Sequence, residues 1–281
     1  MKLDKEQQKH FAEAIRNASK KKGFKVKGCS IYVLEGNAFI HCDYFVDSQK
    51  MFYRIYIKNY EYDDIFWKVL QMPSNSKQAD SLRAVGAFKA PSILIEEGEV
   101  ELTENYEELA ESLVELIMEC SHDFMKNYDI DEYVVNNAEG MNIDILKYLA
   151  YIHMNRVNEA QVIAEEAIKS GKVGNFKNGG KSFFEWAIMA EWNKIHGRME
   201  NAKDPDGLVR DQNTGEVINW TPGQSRKGVW DMGHIPEAKY SEMHEAYMNG
   251  ELTTKEFVDW YNDPANYRPE LPSNNRSHKY E

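Results

Sequence analysis

The sequence predicts an α+β fold in two portions: an N-terminal antiparallel sheet with several helices, then a smaller portion of short strands and helices. Three observations predict it. The apolar period changes from helical to alternating near Phe24. A long amphipathic stretch from Leu102 to about Tyr128 is followed by two or three further helical segments. Composition then shifts at Asn201–Gly207, rich in turn formers and poor in apolar residues, which reads as a linker or domain edge and divides the chain into 1–200 and 201–281. A length of 281 residues suits two domains of ordinary size.

Residues 5–22 read as an amphipathic helix, with Phe11, Ala14, Ile15 and Ala18 at helical spacing and Gly23 as its C-cap. From Phe24 to Tyr60 short alternating runs, punctuated by Gly36-Asn37 and Asp47-Ser48, predict about three antiparallel strands. Residues 61–71 are apolar and aromatic, and their pattern leaves the element type open. Pro91–Glu96 reads as another strand. In the 102–128 helix, Tyr106, Leu109, Leu113, Leu116, Ile117 and Cys120 make the apolar stripe. Helices are expected at about 141–153, 156–170 and 182–196, with breaks at Asn155 and Gly171; the first two form a helical hairpin. Past residue 207, Val217–Trp220 and Gly228–Trp230 are strand candidates, with Trp220 and Trp230 read as core. Lys239–Met248 and Thr253–Tyr261 read as helices, the second capped by Thr253 or Thr254 with Glu256 near its start.

The formal net charge is -12, which disfavours non-specific attachment to nucleic acid. The charge is uneven. Acids dominate Glu96–Glu139, opposed there by Lys126 alone. That stretch reads as a solvated helix face, or alternatively as a surface that mimics nucleic acid. Lys20 to Lys27 reads as a solvated helix end. No run approaches the roughly twenty apolar residues of a membrane span, and the N-terminus has no secretory pattern. Cys29, Cys42 and Cys120 are odd in number and lack CxxC spacing, which argues against a disulfide framework or zinc ribbon. A reduced, cytoplasmic setting without membrane contact is expected.

Two C-terminal segments carry chemistry. Gly228-Val-Trp-Asp231-Met-Gly-His234-Ile-Pro236 places an imidazole three residues after a carboxylate. Asn266-Tyr-Arg-Pro-Glu270-Leu-Pro-Ser-Asn274-Asn275-Arg276-Ser-His278 begins extended and then offers a short helix from about Ser273. Phosphodiester hydrolysis needs a base to take a proton from water, a divalent cation to neutralise developing charge, and a cation on the phosphate. A neutral His suits the first role, oxygen donors suit Mg²⁺, and Arg suits the third. Asn275 and His278, at i and i+3 on a helix, face one site. His244 reads as structural or surface.

These segments, with Asp211-Gln-Asn-Thr-Gly-Glu216, resemble the HNH/endonuclease VII nucleases with conserved Gly, His and Glu, the GH-E toxins, over about residues 204–281. The resemblance implies a ββα-metal (His-Me finger) core with a helical insertion between its strands. It implies His234 as general base, Gly233 and Glu270 as the other signature positions, and Arg276 beside the reacting phosphate. Asn275 and His278 would be metal ligands, and Asp231 a metal ligand or an orienter of His234. It further implies a divalent metal, Mg²⁺ with Mn²⁺ or Zn²⁺ as alternatives, and nucleic acid, DNA by preference, as partner.

Residues 1 to about 197 carry no active-site pattern. Their opening helix, Lys-Lys-Lys-Gly-Phe-Lys-Val-Lys-Gly and three strands resemble small α/β immunity-type proteins of bacterial toxin loci. This implies a built-in restraint on the nuclease portion, or contact with a separate immunity protein. Delivered to a target cell, the nuclease part would act there. The rival expectation is a non-catalytic immunity or binding protein with an inactive or masked nuclease-like domain.

Overall fold

The computed structural model describes residues 4–47, 49–190, 203–204, 206–220, 226–277 and 280. The chain divides into two compact units, Met1–Ile188 and Met189–Glu281. The division expected at 200/201 falls on residues outside the described set.

The first unit opens with α1 (Lys5–Lys21). Asp4 accepts hydrogen bonds from the Glu6 and Gln7 amides, and the Gln7 side chain accepts from the Asp4 amide, a capping box. The helix buries Phe11, Ala14, Ile15 and Ala18, as their spacing predicts. Lys22 is the C-cap, and Gly23 follows it at φ +84°. Strands β1 (Lys25–Lys27), β2 (Ser30–Glu35), β3 (Ala38–Val46), β4 (Lys50–Asn59) and β5 (Ile93–Glu101) form an antiparallel sheet in chain order. Four of these occupy the span expected to hold about three, because β1 is too short to show alternation.

Residues 61–71, left open above, contain α2 (Glu61–Val69), which buries Tyr62, Phe66 and Trp67. The short α3 (Ser81–Val85) follows. Strand β5 runs beyond the expected Glu96 to Glu101. Its acidic half is hidden from an apolar-pattern reading, and it is answered by Lys50 on Glu99 and by Arg54 on Glu97 at 3.0 Å. Helix α4 (Tyr106–Asn127) starts after Asn105, whose side chain accepts from the Glu108 amide. Its acids face solvent as expected, and three of them also pair with residues of α1 and its C-cap. His10 meets Glu107 at 2.9 Å, Lys21 meets Glu111 at 2.5 Å and Lys22 meets Glu115 at 3.5 Å.

Helix α5 (Ile130–Asn136) was not anticipated from its acidic sequence. Helices α6 (Ile143–His153) and α7 (Val157–Ser170) form the expected hairpin, with Asn155 and Gly171 at positive φ at the breaks. An unanticipated hairpin of β6 (Lys177–Asn178) and β7 (Lys181–Ser182) turns at Gly179-Gly180. Helix α8 (Phe183–Ile188) follows, and Met189 lies in a turn; residues 191–196 of the longer helix expected there are outside the described set. Among the described residues no helix is long and apolar enough to cross a membrane.

The core of the second unit gathers Val209, Ile218 and Trp230, with Trp220, Val229, Met232 and Leu271 packed against it. Both tryptophans are therefore core, as expected. The strand expected at Gly228–Trp230 is a turn, with Gly228 at φ +78° and the Val229 and Trp230 amides bonded to the Arg226 carbonyl. The strand begins one residue later: β8 (Asp231–His234) is the motif itself. Val217 makes an isolated bridge to Arg210 rather than opening a strand. Helices α9 (Tyr240–Met248) and α10 (Thr254–Asn262) lie between β8 and its partner β9 (Tyr267–Glu270), and α11 (Pro272–Asn275) follows. Thr253 and Glu256 cap α10 reciprocally. This is the ββα arrangement with helical insertion, following the N-terminal antiparallel sheet in sequence: an α+β chain.

A buried polar chain ties α2, α5 and α6. Tyr62 Oη donates to Asp131 Oδ1 at 2.5 Å, and His153 Nδ1 lies 2.7 Å from Asp131 Oδ2. The hydrogen bond to Asp131 raises the His153 pKa above its ordinary 6.5, against the opposing effect of burial. A base with a raised folded-state pKa stabilises fully below its unfolded value, and that contribution is lost as pH rises through the folded value. The urea midpoint of the N-terminal unit should therefore fall between about pH 5.5 and about pH 8.5 more steeply in the wild type than in His153→Gln. Equal slopes would remove the argument.

Candidate active site

Strands β8 and β9 pair Asp231 with Glu270, Met232 with Pro269, Gly233 with Arg268 and His234 with Tyr267. Opposed residues share a face, so Asp231, Gly233, Arg268 and Glu270 project to one side and His234 and Tyr267 to the other.

On the first face the Glu270 carboxyl lies over Gly233. A Cβ at position 233 would stand 2.5 Å from Glu270 Oε2 and 2.8 Å from its Cγ. Only glycine leaves room. Glu270 is buried, and Arg268 Nε donates to its Oε1 at 2.7 Å. Arg268 is held in turn by Gln212 Oε1 at 3.3 Å and Asn213 Oδ1 at 2.8 Å. Asp231 accepts two hydrogen bonds from Arg276, at 2.8 and 3.2 Å.

Asp211 organises the loop and α11 together. It is fully buried. Its Oδ1 accepts from the Asn213 and Thr214 amides at 2.8 and 3.2 Å, and its Oδ2 accepts from the Leu271 amide at 2.6 Å and Asn274 Nδ2 at 3.0 Å. Burial alone would raise the Asp211 pKa, but the hydrogen bonds from Asn274, Leu271, Asn213 and Thr214 outweigh it and hold the carboxyl below the usual range. Leu271, not Ser273, precedes the helix, and Pro272 sits in its first turn. A remote carboxylate thereby anchors the start of α11.

His234 lies among aromatic rings. Trp260 stacks on it at 5.6 Å and 9°, Tyr267 lies 4.5 Å away and Tyr240 6.0 Å. Its Nε2 is closed off from solvent. Being at the end of β8, it still lines a cavity of about 530 Å³ together with Arg268, Glu270, Asn275 and Arg276. Four of the six anticipated site residues thus meet at one cavity: His234, Glu270, Asn275 and Arg276. Asp231 does not line it and is paired with Arg276. His278 lies outside the described residues. Helix α11 ends at Asn275 with Arg276 as its C-cap.

Residues 206–281 match the GH-E family. Its model is described as an HNH/ENDO VII superfamily nuclease with conserved GHE residues. No solved structure matches the chain. The GH-E description names a Gly, a His and a Glu; here Glu270 packs on the glycine that precedes His234. The match covers residues of the second unit and leaves the first unit unassigned.

Sequence reasoning missed Asp211 as the anchor of α11. Asp211-Gln-Asn-Thr-Gly carries the signature of a side chain bonding amides two and three residues on, so its local turn was readable. Its reach to Leu271 was not.

Gly233→Ala should destabilise the second unit by about 1–3 kcal/mol, the cost of overpacking. In a Glu270→Ala background the same change should cost less by about 1 kcal/mol, since the colliding group is gone. Denaturation of the four proteins measures the coupling, and strict additivity would contradict the packing.

Proposed function

We propose that the C-terminal unit is a metal-dependent, toxin-type endonuclease that hydrolyses phosphodiester bonds in DNA. The observation that carries this is the meeting of His234, Glu270, Asn275 and Arg276 at one cavity. With Nε2 enclosed, His234 accepts the proton of the attacking water at Nδ1. The water oxygen bonds to phosphorus as the bond to the 3′ oxygen breaks. Arg276, exposed and held by Asp231, lies against the phosphate. Asp231 serves as the positioning partner of Arg276.

Among the described residues no three His, Cys, Asp or Glu side chains converge as a metal cage. The cavity instead offers the Glu270 carboxylate and the Asn275 amide oxygen, a donor set that fits a hard cation retaining most of its water, such as Mg²⁺, with Mn²⁺ as substitute. Those two residues would hold it, with His278 as a further donor. When bound, the ion supplies neutralisation of charge on the phosphate and the leaving oxygen.

We assign the N-terminal unit, on its immunity-like order of elements, to restraint of the nuclease unit. One assay tests both readings. The full chain should cleave DNA with Mg²⁺, stop with EDTA, and slow by about 10²–10⁴ in His234→Ala. The 201–281 fragment should exceed the full chain in rate. Cleavage that survives His234→Ala removes the catalytic assignment; a fragment no faster than the full chain removes restraint.

A further inference from the structure

The nuclease reading does not say whether the substrate strand is paired. The same cavity is lined by two exposed tyrosines, Tyr240 at 43 % and Tyr280 at 38 %. Its cations are largely neutralised where they stand. Arg268 is paired to Glu270, Arg276 to Asp231, and Lys239 lies 3.7 Å from Glu242. Among its described side chains the insertion adds Glu237, Glu242, Glu245, Glu251, Glu256 and Asp263 against Lys239.

A duplex presents dense phosphate and hides its base faces. Binding it requires cations in excess, which this surface lacks. An unpaired strand exposes the π-faces of its bases, and aromatic side chains stack on them with little dependence on sequence, a contribution a duplex cannot make. Tyr240 opens α9, with its ring 6.0 Å from that of His234. Tyr261, 51 % exposed, lies 6.3 Å from Tyr240 and extends the aromatic surface.

We propose that this cavity takes an unpaired strand of nucleic acid, with one base stacked on Tyr240 beside His234. The inference rests on the nuclease reading for the chemistry that follows binding, but binding itself can be read without cleavage. Stacking fixes the strand next to the imidazole, so Tyr240 is a specificity-determining residue.

The test is fluorescence anisotropy of the full chain in EDTA, with a labelled oligothymidylate of about twenty nucleotides and a duplex of equal length. The single strand should bind at least about tenfold tighter than the duplex. Tyr240→Leu should weaken single-strand binding about tenfold, and Tyr240→Phe, which keeps the ring, should restore it. Duplex binding as tight as single-strand binding, no measurable single-strand binding, or no effect of Tyr240→Leu overturns the proposal. The strand preference of the wild type decides it even if a variant misfolds. Single-strand binding without Mg²⁺-dependent cleavage leaves this inference standing and removes the nuclease reading; cleavage with a duplex preference does the reverse.

Discussion

The Glu270 carboxylate occupies the space a side chain at position 233 would need, and Arg268 holds it there from the same strand. That placement constrains the rest of the second unit. It demands glycine in β8, sets Gly233 beside His234, and keeps a buried acid at the wall of the cavity. A lone carboxylate so enclosed would be costly, and the Arg268 guanidinium at 2.7 Å offsets that cost. The arginine is in turn fixed by Gln212 and Asn213, so the loop before the core reports directly on the strand pair.

The same loop does a second job through Asp211. Four donors from two distant segments satisfy one buried carboxylate. A four-residue helix has almost no stability of its own. Helix α11 is held in place by Asp211 and by Leu271 in the core, and so Asn275 and Arg276 reach the cavity wall. Among the described residues of the unit three buried apolar side chains form the core cluster, and these polar side-chain bonds add to it.

Legibility followed the strength of local pattern. Helices α1, α6 and α7 showed in the sequence because their apolar spacing and break residues agree. Strand β1 is too short for a period, and the outer half of β5 is written in glutamates whose partners, Lys50 and Arg54, lie far away in sequence. The site motifs were legible as a set, because Asp231, Gly233, His234 and Glu270 occur in a recognisable order. Their mutual geometry was not. Antiparallel register puts His234 on the face opposite Asp231, so the two do not work as neighbours, and Asp231 turns to Arg276. Bonds between residues far apart in sequence, such as that from the Leu271 amide to Asp211, leave no local trace.

The central claim is that the Glu270 carboxylate packed on Gly233 belongs to a working phosphodiesterase site rather than to a structural brace. Glu270→Gln separates these, because it keeps the shape over Gly233 and removes the charge. Single-turnover cleavage in Mg²⁺ should fall by at least about a hundredfold at a temperature where circular dichroism shows the variant folded. Wild-type cleavage by a folded Glu270→Gln protein would contradict the account.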